Sequence, residues 1–406
     1  MNILNELEYQ LKKIKHKWLF FHFFLKKITT TKKPVSKTIL IIRIDAIGDC
    51  IIWLDQAKEY RKIFPDHKFI LLHNKAWSEI AERLPWFDEC VPFDRTKIGN
   101  IKYYKTLITT LNKYTYEKVF SPVFSRDFIT VDWLVHNINA IEKIGYDGDY
   151  HNNYLAYVCD PYYSQHSNEY NLKAIADSWY TTLVSNIQDC TMELQRNAQF
   201  IRQTINSGFR CRLPKIPFDI PIYDQLKSKE YAVVFPGASV EYRMWPINYF
   251  LKTVNYIPYP TIVLCGSQQE KKLAEEFIFA YKGDKNIINL VGATNLLELI
   301  SVISNAKIVI SNETSASHIS VATRTPSICL LGGGHYGRFH PYKADIIDDD
   351  DTKALPIVVN THDMNCFNCN WICKHPLQNG RWKCIDEITT EKVIEVLKKS
   401  NIQSKV

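Results

Sequence analysis

No run of 18 or more apolar residues occurs anywhere in the 406 residues, which argues against a transmembrane helix. The best stretch, Trp18 to Leu25, is eight residues long and contains His22. A secretory signal is missing too: the apolar core is short, and Lys26, Lys27 and the threonines after them supply no small-residue cleavage site. The N-terminal segment is therefore expected to stay on the chain, and a disulfide framework is not the default reading of the eleven cysteines. Neither a Walker pattern nor a dinucleotide G-x-G-x-x-G is present, so nucleotide hydrolysis and hydride transfer lose ground. Ordinary globular composition, 46% hydrophobic and 23% charged, excludes wholesale disorder and fibrous structure.

Charge is also scarce where it would matter for a polyanion. The net +7 resides in residues 1–38, where nine lysines face only Glu6 and Glu8. The remaining chain balances to zero, which gives no case for nucleic-acid binding. Within that arm Leu4, Leu7, Leu11, Ile14, Trp18, Phe21, Leu25 and Ile28 alternate by three and four, one apolar stripe flanked by lysines. Such a helix suits the interface of an anionic membrane, with Trp18 and the phenylalanines inserted. The same spacing also fits packing on its own body or on another subunit.

At about 150 residues per domain, the length allows two to three domains. Thr38 to Ile44 is a near-continuous apolar run, typical of a strand buried on both faces. Lys68 to Leu72, Lys118 to Phe120 and Ile141 to Ile144 continue a strand–helix alternation, and Gly208, Pro214, Pro217 and Pro221 then interrupt it. A second series follows with Tyr231 to Phe235, Thr261 to Leu264, Ile287 to Val291, Lys307 to Ile310 and Ser327 to Leu331. The pattern predicts two doubly wound α/β domains facing a cleft: an arm over 1–38, a first domain over 39–206, a linker over 207–229 and a second domain over 230–406.

Candidate chemistry sits after the strands, where open sheets bind ligands. Arg43-Ile-Asp-Ala-Ile-Gly-Asp49 ends the first strand. Asp49 fits either a helix cap or a general base toward a hydroxyl. Phe235-Pro-Gly-Ala-Ser239 offers backbone N–H groups to an anion, and Arg243, before Trp245-Pro246, offers a guanidinium to a diphosphate. Ser311-Asn-Glu-Thr-Ser-Ala-Ser-His318 crowds small polar groups at a helix start, and Gly332-Gly-Gly-His-Tyr-Gly-Arg338 suggests a backbone that approaches a ligand. The acidic run Asp348 to Asp351 reads as a solvated loop. Cysteines 50, 90, 159, 190, 211, 265 and 329 read as scattered buried thiols. Cys366-x2-Cys369-x3-Cys373-x10-Cys384, near His362 and His375, has a spacing able to close a tetrahedral Zn or Fe site, in a structural role. Reduced thiols or disulfides are the alternatives.

In this order the motifs resemble glycosyltransferase family 9, the ADP-heptose:lipopolysaccharide heptosyltransferases and their relatives. The matching elements are Arg43 to Asp49, Phe64-Pro65, Ser125-Arg126-Asp127, Lys143-Ile-Gly145, Pro236 to Ser239, Arg243-Met-Trp-Pro246, Asn312 to His318, and Arg338 with Pro341-Tyr342. The resemblance implies a GT-B fold and an inverting sugar transfer without a catalytic metal. It makes Asp49 the base and Arg243 the group that stabilises departing ADP. It assigns donor binding to Pro236, Gly237, Ala238, Ser239, Glu313, Thr314, Ser315, His318, Gly333 and Arg338, and acceptor binding to Arg43, Asp45 and Arg126. Glu313 and Ser315 stand where the family has Asp and Gly, so the donor is less fixed than the reaction class. Some relatives carry a comparable cysteine-rich region over what is here 362–384, in one branch resembling an iron site.

The expectation is thus a cytoplasmic enzyme, peripheral on the inner membrane, that moves a heptose or related sugar from ADP-heptose to a lipopolysaccharide core acceptor. Transfer to a protein acceptor such as an adhesin is the alternative. A non-catalytic sugar-nucleotide-binding scaffold is suggested only by the Glu313 and Ser315 departures.

Overall fold

The computed structural model of the chain describes residues 23, 26–30, 33–150, 172–187, 190–348, 355–361 and 364–403. Most of the lysine-flanked stripe, Cys159, His362 and acidic residues 349–351 lie outside them. Two compact units are present. One comprises the described residues of Met1–Ala46, Tyr60–Gln188 and Arg202–Ser207; the other those of Ile47–Glu59, Asp189–Ile201 and Gly208–Val406. The units are therefore not contiguous in sequence. Most of the helix Ile47–Ile63, which follows the first strand, and most of the helix Glu193–Thr204 belong with the second unit.

In the first unit β1 (Val35–Arg43), β2 (Lys68–Asn74), β3 (Glu89–Phe93), β4 (Thr115–Ser121), β5 (Ala140–Asp147) and β6 (Thr182–Ser185) form one parallel sheet ordered β3-β2-β1-β4-β5-β6. Ile39, Leu40, Ile41 and Ile42 of β1 are fully buried, because a central parallel strand is covered on both faces. Leu40 and Ile42 share one apolar core with Leu72, Tyr104, Val119, Trp133 and Leu134.

That core also takes in part of the predicted arm. Phe23 packs at a tilt against Trp133 with ring centroids 5.4 Å apart. Ile28 N–H donates to Asn137 Oδ1 at 2.6 Å, and Thr30 Oγ1 accepts from Asn112 and Asn139, both at 3.0 Å. The end of the arm is thus built into the first unit, and β1 starts at Val35 rather than Thr38.

The second unit repeats the plan. β7 (Tyr231–Phe235), β8 (Thr261–Leu264), β9 (Asn286–Asn289), β10 (Ile308–Asn312), β11 (Ser327–Leu330) and β12 (Ile357–Val359) are parallel and ordered β12-β11-β10-β7-β8-β9. In each sheet the winding reverses between two central strands, β1 and β4 in the first and β7 and β10 in the second. These switch points are where doubly wound sheets open for ligands.

The predicted linker is tied down along the second unit. Arg324 Nη1 donates to Pro214 O at 2.9 Å, and Cys211 N donates to Asp348 Oδ2 at 2.7 Å. Asp348 stays exposed while it holds the linker through this bond.

Candidate functional site

At the switch point of the second unit, Asn312 is the hinge pin. It ends β10, is fully buried, and donates through Nδ2 to Pro236 O (2.7 Å) and Gly237 O (3.2 Å), beyond the end of β7. Its Oδ1 accepts from Trp245 N–H at 2.9 Å. One amide thus fixes the Pro236-Gly237 turn and the segment that carries Arg243. The turn also lies against Glu270, whose Oε1 a Cβ on Gly237 would meet at 1.5 Å and displace. Glu270, absent from the sequence-based candidates, also accepts from Ser267 N–H in a capping box; the Ser267-x-x-Glu270 spacing is the signal that marks it.

Arg243 projects from a short turn, Glu241–Arg243. Its Nη2 lies 3.2 Å from Glu313 Oε2, its Nη1 3.4 Å from Ser239 Oγ, and its guanidinium 4.4 Å from the centre of the Trp371 ring. Glu313 is buried. Burial pushes its carboxyl up to about 7 against the opposing pull of Arg243 and Arg338. Arg338 in turn lies with its Nε 3.5 Å from Glu193 Oε2. Two arginines and a carboxylate that titrates near neutrality therefore stand at the carboxyl end of β10.

The helix Ser315–Thr323 begins there, with Thr314 as N-cap accepting from Ala316 N–H. Ser317 Oγ bonds His340 Nε2 and His318 Nδ1 bonds Tyr342 Oη, both at 2.8 Å, and the His318 and His340 rings stack at 4.6 Å. Burial lowers His318 to about 3, so it is a neutral wall and not a cation for phosphate. Gly48 lies against it: a Cβ there would meet His318 Cδ2 at 3.0 Å and Ser315 Cα at 3.9 Å. Asp49, half-buried in the first turn of its helix, is thereby brought beside the start of the Ser315 helix.

Three of the expected site residues are packed against other parts of the chain. Arg43 and Arg126, expected on the acceptor side, have no exposed surface. Arg43 donates to Pro122 O (2.9 Å) and pairs with Asp45 (3.0 Å), bridging the first unit's switch point. Asp45, partly exposed, also accepts through its carbonyl from Asn74 and Trp77. Arg126 pairs with Asp132 (2.9 Å) and Asp177 (2.6 Å) and lies over the Tyr180 ring. Gly333 is the third. A Cβ on it would meet Phe367 Cδ1 at 2.3 Å, while Gly332 and Gly334 face Trp371 at 2.7 and 2.2 Å. The glycine run therefore makes room for the cysteine-rich loop.

That loop is bonded on as well: Asn368 N–H donates to Gly333 O and Asn370 N–H to Gly334 O, at 2.7 and 2.8 Å. The four cysteines of the loop, Cys366, Cys369, Cys373 and Cys384, are free thiols. Of those read as scattered buried thiols, Cys90 is half-buried and the other described ones are buried. Burial and the neighbouring thiols push Cys384 up to about 11. Cys366, Cys369, Cys373 and Cys384 thus feel one another, yet among the described residues no three His, Cys, Asp or Glu side chains are gathered to hold a metal ion. Nor is any helix of the described residues long and apolar enough to cross a membrane.

Comparison with known proteins agrees with this geometry. The profile of glycosyltransferase family 9 (heptosyltransferase) matches residues 106–362. Lipopolysaccharide heptosyltransferase 3 of Escherichia coli K12 is 23% identical over 324 residues, 74% of this chain and 84% of that protein. Among solved structures, E. coli ADP-heptose LPS heptosyltransferase II superposes with a TM-score of 0.60 at 14% identity, over 91% of this chain and 100% of that one. The iron-containing dodecameric glycosyltransferase TibC from enterotoxigenic E. coli gives 0.51 at 11% identity, over 92% and 78%.

Proposed function

From the chain's membership of glycosyltransferase family 9, which makes it a glycosyltransferase of heptosyltransferase type, we propose that it transfers a heptose from ADP-heptose to a lipopolysaccharide core acceptor, with inversion and without a catalytic metal. The observation that carries the reading is Arg243, held at the β7–β10 switch point by Ser239, Glu313 and Trp371. A fixed guanidinium there suits the charge that grows on a diphosphate as its bond to the sugar breaks.

In this scheme Asp49 removes the proton from the acceptor hydroxyl as its oxygen attacks the anomeric carbon. The carbon–oxygen bond to the diphosphate breaks in the same displacement, and ADP leaves with the electron pair and the opposite charge to Arg243. Pro236, Gly237, Ala238, Ser239, Thr314 and Ser315 line the donor side with backbone N–H groups and hydroxyls. Asp45 is the remaining acceptor-side candidate. Incubating the purified chain with ADP-heptose, and with UDP and GDP sugars, tests the donor. Transfer from ADP-heptose alone, with an inverted anomeric centre by NMR, is expected; transfer only from another sugar nucleotide would overturn the donor assignment.

The four thiols of the loop are further proposed to take up a structural Zn or Fe, a reading supported by their spacing and by likeness to the iron-containing TibC. Elemental analysis decides it: near one metal per chain is expected, and none rejects it. The lysine-rich arm is proposed to hold the enzyme on the cytoplasmic face of an anionic inner membrane, where a lipid-anchored acceptor would lie.

A further inference from the structure

We propose that Trp371 is a positioning residue for Arg243, and that through it the cysteine-rich loop sets the competence of the donor site. This rests on Arg243 serving the donor diphosphate, as set out above. Trp371 lies between Cys369 and Cys373, and its backbone is left-handed (φ +61°), as are those of Asn368 and Asn370. A bulky aromatic residue rarely adopts that conformation, and it persists only where the surroundings over-determine it. Those surroundings are specific. The indole covers Gly334 and Gly332, both of which must lack a side chain for it to fit. Its Nε1 donates to His335 Nδ1 at 3.2 Å, and His335 Nε2 meets Asn370 Oδ1 at 3.0 Å. The two bonds are mutually consistent only with a neutral His335 whose Nε2 carries the proton, and burial, with Arg338 and Arg243 beside it, lowers His335 to about 4.

The strained loop residue, two glycines and one histidine thus fix the plane of an indole, and on that plane lies the Arg243 guanidinium at 4.4 Å. Stacking holds an arginine by its face and leaves the N–H edge directed in-plane, the geometry that meets two phosphate oxygens. Glu313 holds the other end of the same group. Trp371 touches neither reacting centre; it acts by restricting a long, flexible side chain.

The test compares Trp371→Leu, which keeps bulk over Gly334 but has no π face, with Trp371→Phe, which restores one. Each is made in the full chain, alone and with Arg243→Met, and Trp371→Met replaces the leucine variant if that does not fold. Readouts are kcat and KM with ADP-heptose and the affinity for ADP by calorimetry. Trp371→Leu is expected to lose about tenfold, in kcat and in ADP affinity with acceptor KM unchanged, and Trp371→Phe less than about threefold. In the Arg243→Met background Trp371→Leu should cost nothing more. Equal behaviour of the Leu and Phe variants, or the same loss in the Arg243→Met background, would overturn the proposal. If Arg243→Met alone keeps wild-type turnover and ADP affinity, the reading of Arg243 fails and Trp371 has nothing to position.

Discussion

Arg243 Nη2 sits 3.2 Å from Glu313 Oε2, while the other oxygen of that carboxylate, Oε1, is buried without a hydrogen-bond partner among the described residues. A donor diphosphate would compete with Glu313 for the same guanidinium. Because burial raises the carboxyl to about 7, the pair changes strength across neutral pH. The linkage has a definite sign: a carboxyl raised in the folded state adds stability below its ordinary value near 4.5 and loses it as pH rises through about 7. Glu313→Gln is therefore expected to gain melting temperature relative to wild type between pH 5 and pH 8. A constant difference across that window would contradict the assignment. The donor KM of the variant should also lose its dependence on pH between 6 and 8.

Asp49→Asn keeps the shape of the first helical turn and removes the base. Turnover should fall about 10²–10⁴-fold, with ADP affinity and thermal melting unchanged. Gly48→Ala provides a check on placement, since its Cβ would press the His318 ring at 3.0 Å. It should lower kcat while leaving the Asp49 carboxylate intact. Wild-type turnover in Asp49→Asn would remove the residue from the mechanism.

The central strands were legible because parallel-sheet burial on both faces writes a continuous apolar run: β7 and β8 fall at the positions expected from sequence. The strands that were missed, β3, β6 and β12, all lie at sheet edges. β12 has three residues, and β3 carries Pro92 and is mostly half-exposed, so neither burial nor length leaves a pattern. The motifs at the strand ends were equally readable, yet the duties of single residues were not. Arg126 is claimed by Asp177, 51 residues away, and Arg43 by the carbonyl of Pro122, 79 residues away. Nothing local in the sequence announces such partners. The three glycines were ambiguous for the same reason: they make room for Phe367 and Trp371, and a ligand and a loop ask the same thing of a backbone.

Gly333→Ala tests which of the two the glycine serves. A methyl 2.3 Å from Phe367 Cδ1 forces the loop off its seat, a cost of about 1–3 kcal/mol for overpacking. If the glycine exists for the loop, Phe367→Ala should relieve most of that loss, so that the double variant is more stable than the sum of its parts. Additive losses in chemical denaturation would instead point to a ligand, or to the backbone itself, as the reason for glycine.

The arm offers a sharper cut than its charge suggested. Membrane attachment is proposed for the lysine-flanked stripe, but Phe23, Ile28 and Thr30 are bonded to the first unit through Trp133, Asn137, Asn112 and Asn139. Removing residues 1–22 should therefore abolish flotation with anionic vesicles while preserving melting temperature and turnover on a soluble acceptor. Removing residues 1–30 should also destabilise, because it strips an aromatic contact and three hydrogen bonds, on the order of 3 kcal/mol together. Comparing the two truncations separates the membrane role from the packing role that the same apolar spacing permits. If the 1–22 deletion still floats with vesicles, or if it melts as low as the 1–30 deletion, the stripe serves the body of the protein and not a lipid surface.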